Sequence, residues 1–196
     1  DENERKATVT NVSGDGYSQE YTSSAGITYK MYRQFEGSYA NNSYWGSTIH
    51  RAGCGPSAVA ILASGLTGYN YSPGDIATQM GGENGLTSYE TLKTEMDSLG
   101  MESEVVHNPS AQTIQDNLRN GKVMLVSVNS NTMFTDNSHI MAIVDINTDG
   151  QVYICNPGSS SLFGWYDMSD IMSGCQYIVV TDAEAAGIAE TSNETS

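Results

Sequence analysis

The run Gly53-Cys54-Gly55-Pro56 stands directly before an apolar stretch, residues 57–66, rich in Ala, Ile and Leu. Pro56 fits the first turn of a helix, where its missing N–H would bond nothing, and Gly65 and Gly68 mark the end. The pattern predicts a buried helix that begins at Cys54. A thiol in that position feels the positive end of the helix dipole, which favours thiolate. The first N–H groups of a helix have no partner within it and can hold an anion. One short segment thus offers a nucleophile and part of an oxyanion hole, and Gly53 and Gly55 leave its flanks bare for a substrate backbone. The competing reading of Cys54 is a buried small apolar side chain, a common use of free cysteine.

Such a nucleophile needs a base. His139 opens an apolar run after the polar loop of residues 129–138, and loop-to-strand junctions are frequent seats of functional groups. Its imidazole is suited to carry a proton from Cys54 to a leaving amine; the plain alternative is a solvent-facing histidine at a strand end. His50 shares the loop of Cys54 and His107 ends a strand, but neither is followed by a strand that would bring an orienting partner. Residues 139–146 and 151–155 flank Asn147-Thr148-Asp149-Gly150, a good hairpin turn. That hairpin sets Asn156 beside His139. Its amide oxygen, accepting from Nδ1–H, would fix the tautomer and ring orientation as third member of a Cys-His-Asn set. An asparagine before proline is also an ordinary turn residue.

These groups need a scaffold, and the pattern supplies one. Residues 27–35 alternate as a strand; a Gly/Asn/Ser loop carrying Tyr44 and Trp45 leads to the Cys54 helix. Short helices follow at residues 76–80, 89–99 and 111–119, started by Ser72-Pro73-Gly74-Asp75, by Thr87 or Ser88, and by Ser110. Strands are expected at residues 104–107, 122–128, 139–146, 151–155, 162–166 and 177–181. Helices first and strands second argue an α+β domain, its helices packed on a mostly antiparallel sheet. Residues 1–24 read as a flexible arm or the remnant of a pro-segment, 25–182 as the domain, and 183–196 as an acidic tail or linker. Asp75, Asp145 and Asp149 read as cap and turn residues, and Trp165 and Tyr166 as packing on the sheet edge. Tyr44 and Trp45 line a cleft or pack on the core.

Composition narrows the partners. Eight Lys and Arg face 23 Asp and Glu, a formal charge of −15, and no basic residue follows Lys122. Nucleic acid is therefore an unsuitable partner, and an anionic membrane surface would repel the chain. No apolar run is long enough to span a bilayer. No signal peptide is seen, and the start at Asp1 reads as a processed or trimmed N-terminus. Three cysteines lack metal-site spacing and are too few for a disulfide scaffold. Cys155 and Cys175 could pair in an oxidising compartment or both remain buried thiols. Few lysines with abundant Gly, Ser, Thr, Asn and Tyr suggest an exported protein.

At this point the residues carry a resemblance. Gly53 to Leu66 with Ser72-Pro73-Gly74-Asp75-Ile76-Ala77 is similar to the core motif of the C39-like peptidases of the papain-like superfamily. Tyr32-Arg33-Gln34, Tyr44-Trp45, Asn120-Gly121-Lys122, His139 and Asn156-Pro157 follow the family's order over roughly residues 30–180. The resemblance implies a papain-like fold, a catalytic Cys54, a general-base His139 and an orienting residue at 156, where the family often has aspartate. It also implies an oxyanion-hole glutamine ahead of the cysteine. Gln34 lies well upstream and can serve, beside the Cys54 N–H, only if residues 35–52 fold out and return. The expected reaction is hydrolysis of a peptide bond through a Cys54 thioester, needing no metal or organic cofactor. The chain would be a secreted or cell-surface bacterial cysteine endopeptidase, monomeric, acting on a peptide or protein. Rivals are a cell-wall peptide amidase, a transglutaminase-like acyl transferase, or an inactive papain-like binding domain.

Overall fold

A computed structural model describes residues 8–9, 17–158 and 162–183. The N-terminal part holds strands β1 (Thr8–Val9), β2 (Tyr17–Thr22) and β3 (Thr28–Tyr32), then a small hairpin of β4 (Ser43–Tyr44) and β5 (Ser47–Thr48). Helices α1 (Ile49–Ala52), α2 (Cys54–Leu66), α3 (Pro73–Gln79) and α4 (Tyr89–Ser98) follow, with a 3-10 turn at Gly82–Asn84. The C-terminal part runs β6 (Ser103–His107), α5 (Ala111–Arg119), β7 (Lys122–Asn129), β8 (Ser138–Ile146), β9 (Val152–Cys155), β10 (Gly164–Tyr166), α6 (Met168–Met172) and β11 (Cys175–Asp182).

Six strands form the central sheet in the order β10-β9-β8-β7-β11-β6, and each neighbouring pair is antiparallel. Alternation along the strands splits the core into two layers. Leu125, Ile140, Ala142, Tyr153 and Val179 meet α2 on one face; Val126, Met141, Ile143, Ile154 and Ile178 meet α5 and α6 on the other. Residues i and i+2 of a strand share a face, so an apolar run buried on both sides is the expected sequence of such a sheet. This is the α+β architecture that the sequence predicts.

Helix α2 is buried along nearly its whole length and packs on β3, β8 and α3. A helix apolar all round belongs in a core. The other helices start on polar caps. Ser72 and Asp75 form a reciprocal capping box for α3, and Ser88 with Thr91 forms one for α4, so of Thr87 and Ser88 the cap is Ser88. Ser110 accepts from the Thr113 N–H at the start of α5. Such caps satisfy N–H groups that have no helical partner.

Two expectations fail at the N-terminal side. Residues 17–22 are not part of a flexible arm but form strand β2, paired with β3. Tyr21 of β2 is fully buried and stacks on Tyr153 with ring centroids 3.5 Å apart. Asp145 is not a turn residue either: it is buried and accepts from Tyr21 Oη at 2.6 Å, from the Ser24 N–H at 2.8 Å and from Ser24 Oγ. Burial first, and the carboxylate second, push the Tyr21 hydroxyl far up in pKa. A register shift between Ile143 and Asp145 lets two successive residues reach the α2 side, the local effect of a bulge. Residues 1–7, 10–16, 159–161 and 184–196 lie outside the described residues, and with them the expected acidic tail.

Asp145→Ala leaves the buried Tyr21 hydroxyl without its acceptor and removes the partner of the Ser24 N–H. The expected loss is roughly 2–3 kcal/mol of folding stability, read from the urea midpoint. Asp149→Ala, in the exposed turn, is expected to change it by less than about 0.5 kcal/mol.

Candidate functional site

Cys54 is the first residue of α2, and Gly53 is its N-cap. Its half-buried sulfur faces the backbone N–H groups of Ile140, Gly55 and Cys54 itself. Burial pushes the thiol up in pKa, and those N–H groups pull it back. The flanking glycines serve packing rather than open approach. A Cβ on Gly53 would meet Ile49 at 2.5 Å, and one on Gly55 would meet the Thr87 side chain at 2.7 Å.

His139 opens the buried part of β8, opposite Val128 of β7. Its Nε2 lies 2.7 Å from Asn156 Oδ1. An amide oxygen only accepts, so the Nε2–H donates and Nδ1 is left with its lone pair. This corrects the expected nitrogen from Nδ1 to Nε2 while keeping the partner. Asn156 is itself fixed: Oδ1 also accepts from the Gly158 N–H at 2.9 Å, and Nδ2 donates to the Leu162 carbonyl at 3.0 Å. Gly158 must be small, because a Cβ there would stand 2.7 Å from His139 Cε1. Burial lowers the His139 pKa below its usual value, and the Asn156 hydrogen bond opposes that shift. Among the described residues no hydrogen bond joins Cys54 to His139.

Cys54 and His139 both line each half of one cleft. One half is bounded by Gln34, Phe35, His50, Arg51, Thr135 and Gly158. The other is bounded by Trp45, Thr87, Tyr89, Ile140, Gln176 and Tyr177. Gln34 does reach the site, because residues 35–52 fold out and return. Its backbone N–H donates to the Pro157 carbonyl at 3.0 Å, and its Nε2 donates to the His50 carbonyl at 2.8 Å. That second bond fixes which way the amide points and leaves one Nε2–H unused.

Tyr44 does not line the cleft. It is fully buried, and its hydroxyl bonds Thr87 Oγ1 at 2.8 Å; Trp45, the next residue, does line it. Tyr89 and Tyr177 also line it, and no motif in the sequence marks Tyr177. The signal for Tyr89 is its position directly after a capping serine, at the cleft end of α4. His50 gives its backbone carbonyl to Gln34, and His107 packs its ring on Tyr89 and Tyr177. Neither is held like His139.

All three cysteines are free thiols. Cys155 is buried on the α2 side of the sheet and Cys175 packs on the opposite side, so the sheet separates them. Burial raises Cys175 to about 11 and Cys155 further. No group of three or more His, Cys, Asp and Glu that could hold a metal occurs among the described residues. No helix there is long and apolar enough to cross a membrane.

Residues 26–179 match the model of the Peptidase_C39 like family. The chain belongs to that family. The C39-like architecture recurs in solved structures. A C39-like peptidase from Bacillus anthracis superposes with a TM-score of 0.52 at 13% identity, covering 66% of this chain and 88% of that one. The peptidase domain of Streptococcus ComA, a bifunctional ABC transporter of a quorum-sensing pathway, gives 0.55 at 17% identity, covering 67% and 93%. At such identities the likeness establishes the papain-like α+β fold. No curated protein sequence matches the chain. Family and fold together make this C39-like chain a cysteine peptidase in type, with protein as its class of substrate.

The His139 environment has a measurable consequence. Its imidazole is expected to titrate below the ordinary histidine range by NMR. Asn156→Ala removes the group that supports the protonated ring, so the titration should move lower still. An upward move would contradict the assigned hydrogen bond.

Proposed function

We propose that this C39-like protein is an endopeptidase in which Cys54, His139 and Asn156 act as a catalytic set. The observation that carries the reading is the fixed His139–Asn156 pair facing the same cleft as the thiol at the head of α2. Nδ1 of His139 takes the Cys54 proton as Sγ attacks the scissile carbonyl. A C–S bond forms and the carbonyl π-pair moves to oxygen. The Cys54 N–H and the spare Nε2–H of Gln34 hold that oxyanion. Collapse breaks the C–N bond, and His139 gives its proton to the leaving amine. Water, deprotonated by the same imidazole, then cleaves the thioester and restores the thiol.

Burial favours the neutral thiol and the neutral imidazole at rest. In this mechanism the proton moves during attack rather than before it. Asn156 orients the ring without the full negative charge an aspartate would add, which suits such a pair.

The same neutrality, with no direct Cys54–His139 hydrogen bond, favours one second reading: a papain-like domain that binds peptides without cleaving them. Site-resolved iodoacetamide labelling between pH 5 and 9 separates the two. The endopeptidase reading expects Cys54 labelling to rise through the lowered His139 titration, and to lose that rise in His139→Ala. Labelling only above ~pH 8, as for an ordinary thiol, would support the non-cleaving domain. On a cleaved peptide, Cys54→Ala should abolish turnover, and Gln34→Ala should cut kcat by about 10²–10³.

A further inference from the structure

Trp45 combines three unusual properties. Its φ is +52°, a conformation that bulky residues rarely adopt and that costs energy. Its side chain is 51% exposed, so about half of a large apolar ring stands in water. It also lines the cleft beside Cys54. The turn that imposes this geometry is held firmly. The Trp45 N–H donates to the Gly82 carbonyl at 3.0 Å, and the Gly46 N–H to the Glu83 carbonyl at 2.9 Å. Tyr44, one residue back, anchors the hairpin through Thr87. Folding gains nothing evident from an indole at this tip, since Asn or Gly would suit the turn better.

The rest of that half-cleft is of the same kind. Tyr89, 39% exposed, and Tyr177 stand edge-to-face with centroids 5.8 Å apart. Ile140 adds apolar surface, and Thr87, Ser88, Ser127, Ser138 and Gln176 add uncharged polar groups. Among the described residues no Asp, Glu, Lys or Arg lines it, in a chain with 23 acidic residues. The opposite half carries Arg51 and His50. The space is 350 Å³, enough for a large side chain.

We propose that Trp45, Tyr89 and Tyr177 form a substrate subsite that takes a large apolar or aromatic side chain of the peptide near the scissile bond, with Trp45 as its specificity-determining lip. The inference rests on the endopeptidase reading and names its class of substrate. Binding there covers the exposed indole and brings back apolar contact that the free protein lacks. A buried acidic or basic side chain would find no partner of opposite charge among the described residues of this half.

The test compares the native chain with Trp45→Asn, since Asn tolerates positive φ and should leave thermal stability equal or higher. In a positional-scanning library of blocked fluorogenic pentapeptides, one position should favour Phe, Tyr or Leu over Asp and Lys by about tenfold or more. Trp45→Asn should reduce that preference to less than about threefold, mainly through KM. A second measurement does not need turnover. Adding Ac-Ala-Ala-Phe-Ala-Ala-amide to Cys54→Ala should shift tryptophan emission, the Asp counterpart should not, and Trp45→Asn should remove the shift. Cleavage without apolar preference, a preference that survives in Trp45→Asn, or emission blind to the Phe peptide overturns the subsite. Binding by the Cys54→Ala protein with no cleavage by the native chain would keep the subsite and sink the endopeptidase reading.

Discussion

A helix buried on every side must still begin at the surface. That constraint on α2 organises the molecule. Its length lies in the core between β3, β8 and α3, so its position is set by packing that tolerates little movement. Its first turn, with Cys54, opens on the cleft. A reactive group at the head of such a helix inherits the rigidity of the whole core. A group on a free loop would have to gain that rigidity from extra contacts.

The sheet supplies the second half of the arrangement. His139 starts β8 and Asn156 follows β9, and the antiparallel pairing of these strands brings the two together. Electrostatics then acts on fixed positions. Burial drives the thiol and the imidazole toward their neutral forms, while the helix head and the Asn156 amide favour the charged ones. The balance is set by how much water the cleft admits, so a bound peptide that excludes water also changes the protonation equilibrium of the pair.

Local signals in the sequence are legible because their causes are local. The start of α2 follows from Gly53 and Pro56, the capping serines from their neighbours, and the proximity of Asn156 to His139 from a four-residue turn. What escaped depends on distant partners. Nothing near residue 21 announces that Tyr21 will stack on Tyr153, and nothing near residue 145 announces that its carboxylate will collect Tyr21 and Ser24. Tyr44 and Trp45 are adjacent and similar in type, yet one is buried and the other half exposed, because a tight turn divides them. The choice of imidazole nitrogen is a matter of ring orientation, which strand pairing alone does not set.

One backbone hydrogen bond links these parts in a way that outlasts the details of the site. The Gln34 N–H donates to the Pro157 carbonyl, one residue past Asn156, while the Gln34 side chain holds the His50 carbonyl, just ahead of Cys54. Strand β3's end, the lead-in to α2 and the end of β9 are thus tied together beside the cleft. Under the proposed mechanism, a chain that has folded only its first half has Cys54 without His139, and one that has lost residues near 34 has His139 without Gln34. On that reading chemical competence belongs to the completed fold alone, and a half-made molecule carries a harmless cysteine.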